Sequence, residues 1–92
     1  MSADLSQSIA ARFTLEADAF PGLLSRLLEP FAKRDLIPDR VSSHRDRDAV
    51  LVEIVMNAMP RDMVHLVEGN IRQVVGVRSL SRIDEAELRH AA

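Results

Sequence analysis

The chain has 92 residues, of which 47% are apolar and 28% charged, and its net charge is −2. That is enough chain for one domain and too apolar for a disordered one. It creates no net field favouring nucleic acid or an anionic membrane surface. The absence of Cys excludes a disulfide framework, a thiolate metal site and a cysteine nucleophile.

Residues 1–8 read as a flexible leader. They lack the basic start and apolar run of a signal peptide. From Ile9 the pattern has period two: Ile9, Ala11, Phe13, Leu15 and Ala17 alternate with Ala10, Arg12, Thr14 and Glu16. This is a half-buried strand. Pro21-Gly22 signals a turn. Phe20, Leu23, Leu24, Leu27, Leu28 and Phe31 then fall three and four apart, the stripe of an amphipathic helix. Pro21 suits that helix's first turn. Pro30 removes a backbone bond and clashes one turn back, so a kink or an early end is expected there. Because Leu24 lies on the stripe, Leu24→Asp is expected to unfold the domain.

Pro38 opens a short polar strand, Asp39 to His44, whose composition suits a sheet edge. Arg45 to Asp48 reads as a charged hairpin turn. Ala49 to Met56 is the most hydrophobic strand, with Val50, Val52, Ile54 and Met56 on one face and Leu51, Glu53 and Val55 on the other. Its run Ala49 to Val52 is interrupted by Glu53 and is far too short to span a bilayer. Asn57 to Pro60 is a second break. Arg61 to Gln73 is a second helix with Met63, Val64, Leu66, Val67, Ile71 and Val74 on its stripe, and Asp62 favours the positive end of its dipole. Val75 to Ile83 is a last strand, and residues 84–92 are a polar tail.

The order is β-α-β-β-α-β. Two helices with one apolar stripe each are expected to cover one face of a four-stranded antiparallel sheet, strand order 4-1-3-2, giving a ferredoxin-like α+β sandwich over residues 9–83. The other face should carry Arg12, Thr14, Glu16, Leu51, Glu53 and Val55, joined by Arg78, Leu80 and Arg82. It reads either as a solvated sheet with cross-strand charge pairs or as a docking surface anchored on Leu51, Val55 and Leu80.

Ala11 to Ala17, followed by Phe20-Pro21-Gly22-Leu23-Leu24-Ser25-Arg26-Leu27, resembles the opening of an ACT domain. The likeness continues through Phe31 to Ile37, Val50 to Val55 and Val74 to Ile83. Length and element order are most similar to the single-domain small regulatory subunits of acetolactate synthase. The resemblance implies a non-catalytic regulatory module without cofactor; the lack of a signal peptide and of a bilayer-spanning run makes a cytoplasmic location the expectation. The resemblance also implies a homodimer, a small amino acid bound at the seam, and a possible larger catalytic subunit. The implied ligand-binding residues are Asp18, Ala19, Phe20, Pro21, Gly22 and Leu23 of one copy, and Asp39, Arg40, Val41 and Ser42 of the other. One departure stands out. The family places Asp or Asn two residues before the Pro, where this chain has Ala19, with Asp18 one step earlier. Either Asp18 swings in or the ligand site is lost. In the second case the chain is a ligand-free adaptor or dimerisation module.

Other chemistry fits poorly. His44, Asp46 and Asp48 surround a hairpin tip and lack the convergent ligands of a zinc site. His65 and His90 are surface and tail residues. Ser42-Ser43-His44 is no triad, because strand neighbours point to opposite faces. Glu16 and Glu53 share an open face without a cleft. The three glycines, Gly22, Gly69 and Gly76, form no phosphate loop. RNA recognition by a sheet needs exposed aromatics, and Phe13 should face the helices.

Overall fold

The computed structural model describes residues 8–84. The expected leader and tail, with His90, lie almost wholly outside the described residues. Six elements follow the expected order: β1 (Ser8–Asp18), α1 (Leu23–Ala32), β2 (Arg40–Asp46), β3 (Ala49–Pro60), α2 (Arg61–Arg72) and β4 (Val77–Asp84). The sheet is antiparallel with order β2-β3-β1-β4, the mirror reading of 4-1-3-2.

Alternation along β1 decides the inner face. Ile9, Ala11, Phe13, Leu15 and Ala17 are buried, whereas Arg12 and Glu16 are half-buried and Thr14 is exposed. β3 pairs with it in matching phase, so Val52, Ile54 and Met56 join the same layer. α1 contributes Leu23, Leu27 and Phe31, and α2 contributes Val64, Val67 and Ile71. Phe13 and Phe31 meet edge to face with centroids 5.8 Å apart, the arrangement favoured by the ring quadrupoles. Among the described residues no polar side chain is buried in this core. Each fully buried Leu or Phe contributes roughly 1.5–3 kcal/mol relative to exposure.

Two bulges reset the phase, and both depart from the expectation. In the first, Ala11 pairs with Met56 but Ile9 with Met59, so β3 carries one residue more than β1. That shift turns Met59 inward although it is three residues from Met56, and both are buried. The expected break at Asn57 to Pro60 is therefore continuous strand. In the second, Glu16 pairs with Ser79 but Ala17 with Val77, leaving Arg78 as the extra residue of β4. Beyond it Leu80 and Arg82 lie opposite Leu15 and Phe13, on the helix side, not on the open face. Leu80 joins the core. Arg82 reaches α2, its Nη1 donating to Glu68 Oε1 at 2.7 Å. The open face takes Ser79, Ser81 and Ile83 in their place.

The helix stripes are narrower than the sequence pattern suggests. Leu24 is 40% exposed and Leu66 46% exposed, each on the flank of its helix. Leu24→Asp is accordingly expected to fold. Pro21 precedes α1 instead of entering its first turn. Pro30 stands inside α1, which continues to Ala32 without the expected early end. A proline near the last turn forgoes only one bond before the helix stops. The Arg34 guanidinium donates to the Pro30 carbonyl at 3.1 Å.

β2 lies at the edge, as expected, and all seven of its residues are exposed. It extends to Asp46, so Arg45 belongs to the strand and only Arg47 and Asp48 form the turn. No helix among the described residues is long and apolar enough to cross a membrane.

Candidate functional site

The β1–α1 connection begins where two backbone bonds hold the end of β1. Asp18 N–H donates to the Gly76 carbonyl and Ala19 N–H to the Asp48 carbonyl, both at 2.8 Å. The chain then reverses through Phe20-Pro21-Gly22-Leu23. Leu23 N–H donates to the Phe20 carbonyl at 3.2 Å, and Gly22 has φ 86° and ψ −2°. Proline second and a positive-φ glycine third are the signature of a type II turn. Gly22 is also the N-cap of α1, without a side-chain cap. Gly76 completes the support: a Cβ there would lie 2.9 Å from Phe20 Cε2.

Between this turn and the edge strand lies an open pocket of about 590 Å³, within the usual range of small-molecule sites. Ala19, Phe20, Pro21, Gly22 and Leu23 line it, as do Leu24, Ser25, Ser43, Arg45 and Val50. Five of the residues picked out from the sequence thus meet in one cavity. Asp18 does not line it, and within this single chain neither do Asp39, Arg40, Val41 and Ser42, which were expected to come from the second copy. Arg40 and Ser42 lie on the open face, opposite Val55 and Glu53. Val41 is on the helix side but outside the pocket lining. Asp39 ties β2 to β3: its carboxylate accepts from Asn57 N–H and its own N–H donates to the Val55 carbonyl.

Asp18 does not swing into the pocket. Its carboxylate accepts from Arg78 Nε at 2.7 Å. Arg78 also reaches Glu16 at 3.4 Å and Asp48 at 3.8 Å. The Arg78 guanidinium is held above its already high pKa chiefly by the hydrogen bond to Asp18, with further attraction from Asp18, Asp48 and Glu16. A second open-face chain places Glu53 between Arg12 and Arg40, at 3.6 and 3.3 Å. Glu16 and Glu53 are therefore each paired with arginine. No group of His, Asp or Glu side chains suited to a metal ion, including His44, Asp46 and Asp48, occurs among the described residues.

Sequence reasoning placed Ser43 at the seam but missed Arg45, because it ended β2 at His44 and drew the ligand strand across both faces. Odd positions of β2 share the helix side with even positions of β3, through the pairs Val41–Ile54, Ser43–Val52 and Arg45–Val50. That phase was available once the hairpin turn was shortened to two residues.

The profile of the ACT-like domain family matches residues 4–89. The chain belongs to this family. ACT domains are a regulatory, ligand-binding type of module. Similar solved structures include the ACT domain of a GTP pyrophosphokinase from Chlorobium tepidum, with TM-score 0.70, 13% identity and coverage of 83% of this chain and 99% of that one. An uncharacterized protein from Thermotoga maritima has TM-score 0.69, 12% identity, and coverage of 85% and 98%. A homoserine dehydrogenase from Thiobacillus denitrificans has TM-score 0.71 and 18% identity, covering 84% of this chain but 17% of the dehydrogenase. At these identities the likeness is one of fold. None of the curated proteins matches the sequence.

Proposed function

We propose that this ACT-like chain is a non-catalytic regulatory module that pairs with a second copy along β2 and binds a small amino acid or a related carboxylate at the seam. The observation that carries this is the pocket's position. It opens between the type II turn and an edge strand whose seven residues are all exposed. An unpaired edge is a template for a further strand.

The β2 sequence suits its own antiparallel copy. In a two-fold arrangement centred on Ser43, Arg40 faces the second copy's Asp46, Ser42 its His44, and Val41 its Arg45. This gives two symmetric Arg–Asp pairs, whereas a shift of register loses them. Ligand at such a seam would favour one arrangement of the pair and so regulate an attached or associated enzyme. A catalytic subunit of an amino-acid biosynthetic enzyme, acetolactate synthase first, is the partner to test.

Light scattering after size-exclusion chromatography should return a dimer. Arg40→Asp should weaken it and the Arg40→Asp/Asp46→Arg double variant should restore it. Calorimetric titration with valine, leucine, isoleucine, serine and related carboxylates tests the ligand. The engagement of Asp18 by Arg78 favours a second reading, a dimerisation module without ligand. A dimer that gives no heat with any compound of the panel selects that reading, and a strict monomer without heat rejects both.

A further inference from the structure

We infer that the pocket selects carboxylates lacking an ammonium group, an α-keto acid or a simple branched carboxylate in preference to the corresponding amino acid. This rests on the reading of the pocket as the ligand site and names the class of ligand it takes.

The charges decide it. Among the described residues Arg45 is the only ionisable one lining the cavity, beside the Ser25 and Ser43 hydroxyls and the apolar Phe20, Leu24 and Val50 side chains. Its Nε donates to the Arg47 carbonyl at 3.0 Å, which leaves the two terminal nitrogens for another acceptor. No carboxylate pairs with Arg45 among the described residues. A guanidinium with free terminal donors suits a carboxylate.

An ammonium group finds no such partner. The acids nearest the turn are drawn to Arg78 on the opposite side of the sheet: Asp18 at 2.7 Å, Glu16 at 3.4 Å and Asp48 at 3.8 Å. Asp46 shares the open face with Arg40 and His44, and the first turn of α1 contains no acid. Placing a charged amine against Phe20, Leu24 and Val50 without a counter-charge forfeits hydration that the neutral Ser25 and Ser43 hydroxyls replace only in part. The keto acid brings the same tail and carboxylate without that group. In the register above, the edge strand of a second copy does not supply the missing acid. Its helix-side residues at the seam are Val41, Ser43 and Arg45, so it adds another guanidinium.

The test is calorimetric titration of the full chain with valine, its α-keto acid and isobutyrate at low salt. The keto acid and isobutyrate should bind, with valine about tenfold or more weaker. Arg45→Gln should weaken keto-acid binding by about tenfold to a hundredfold, the loss of a charge-assisted contact. Arg45 is exposed on an edge strand, so this variant should melt with the parent, and Arg45→Lys should retain part of the affinity. Valine binding as tightly as its keto acid overturns the selectivity while leaving the regulatory reading in place. Keto-acid affinity unchanged in Arg45→Gln overturns the assigned contact. Silence with all three compounds overturns this inference, and silence across the wider panel above overturns the ligand-sensing reading as well.

Discussion

Replacing Gly76 by Ala tests whether the β1–α1 turn is supported from beneath as described. Gly76 has φ 101°, and its carbonyl accepts from Asp18 N–H at 2.8 Å. An L-residue at positive φ costs about 1–2 kcal/mol. The added methyl would stand 2.9 Å from Phe20 Cε2 and 3.5 Å from Asp18 Cβ. The Phe20 ring must shift, at roughly 0.5–1.5 kcal/mol if it is driven off its rotamer. The expected loss is about 2–3 kcal/mol, a large share of the stability of a domain this size. At about 4–8 °C per kcal/mol for small domains, Tm should fall by roughly 10–20 °C. The other two glycines are internal controls. Gly22 has φ 86° with nothing within 4 Å, so Gly22→Ala meets only the backbone cost. Gly69 lies within α2 with nothing within 4 Å, so Gly69→Ala should stabilise by about 1 kcal/mol. Far-UV circular dichroism is the readout, since the chain has no Trp or Tyr for fluorescence. The expected order of melting is Gly76→Ala, Gly22→Ala, parent, Gly69→Ala. A Gly76→Ala protein melting with the parent, or above Gly22→Ala, would refute the packing of Phe20 over this turn.

Leu27→Ala removes a fully buried side chain of α1 and should cost about 2–5 kcal/mol in urea unfolding. Leu24→Asp, one turn away on the pocket rim, should instead melt within a few degrees of the parent while altering the pocket. Arg78→Ala severs contacts with Glu16, Asp18 and Asp48. Exposed pairs are worth about 0–1 kcal/mol, so the loss should be small and shrink further in thermal melts at high salt.

The layout of layers was legible in the chain itself because burial on one side of a strand or helix writes a period into the residues. Ile9 to Ala17 alternate, and Leu23, Leu27 and Phe31 recur at helical spacing, so two covered ridges and one sheet follow from local pattern alone. The polar β2 announced an edge in the same way. The Pro21-Gly22 pair marked the turn that shapes half of the pocket. What local pattern does not carry is phase across a bulge. Met59 inward, Leu80 inward and Arg82 paired with Glu68 all depend on one extra residue in a ladder, and that residue is visible only when both strands are paired. Charge partners are likewise tertiary. Arg78 stands 60 residues from Asp18 along the chain, and nothing in either neighbourhood announces the contact. That pairing turns the acid beside the turn away from the cavity and leaves Arg45 to define its charge.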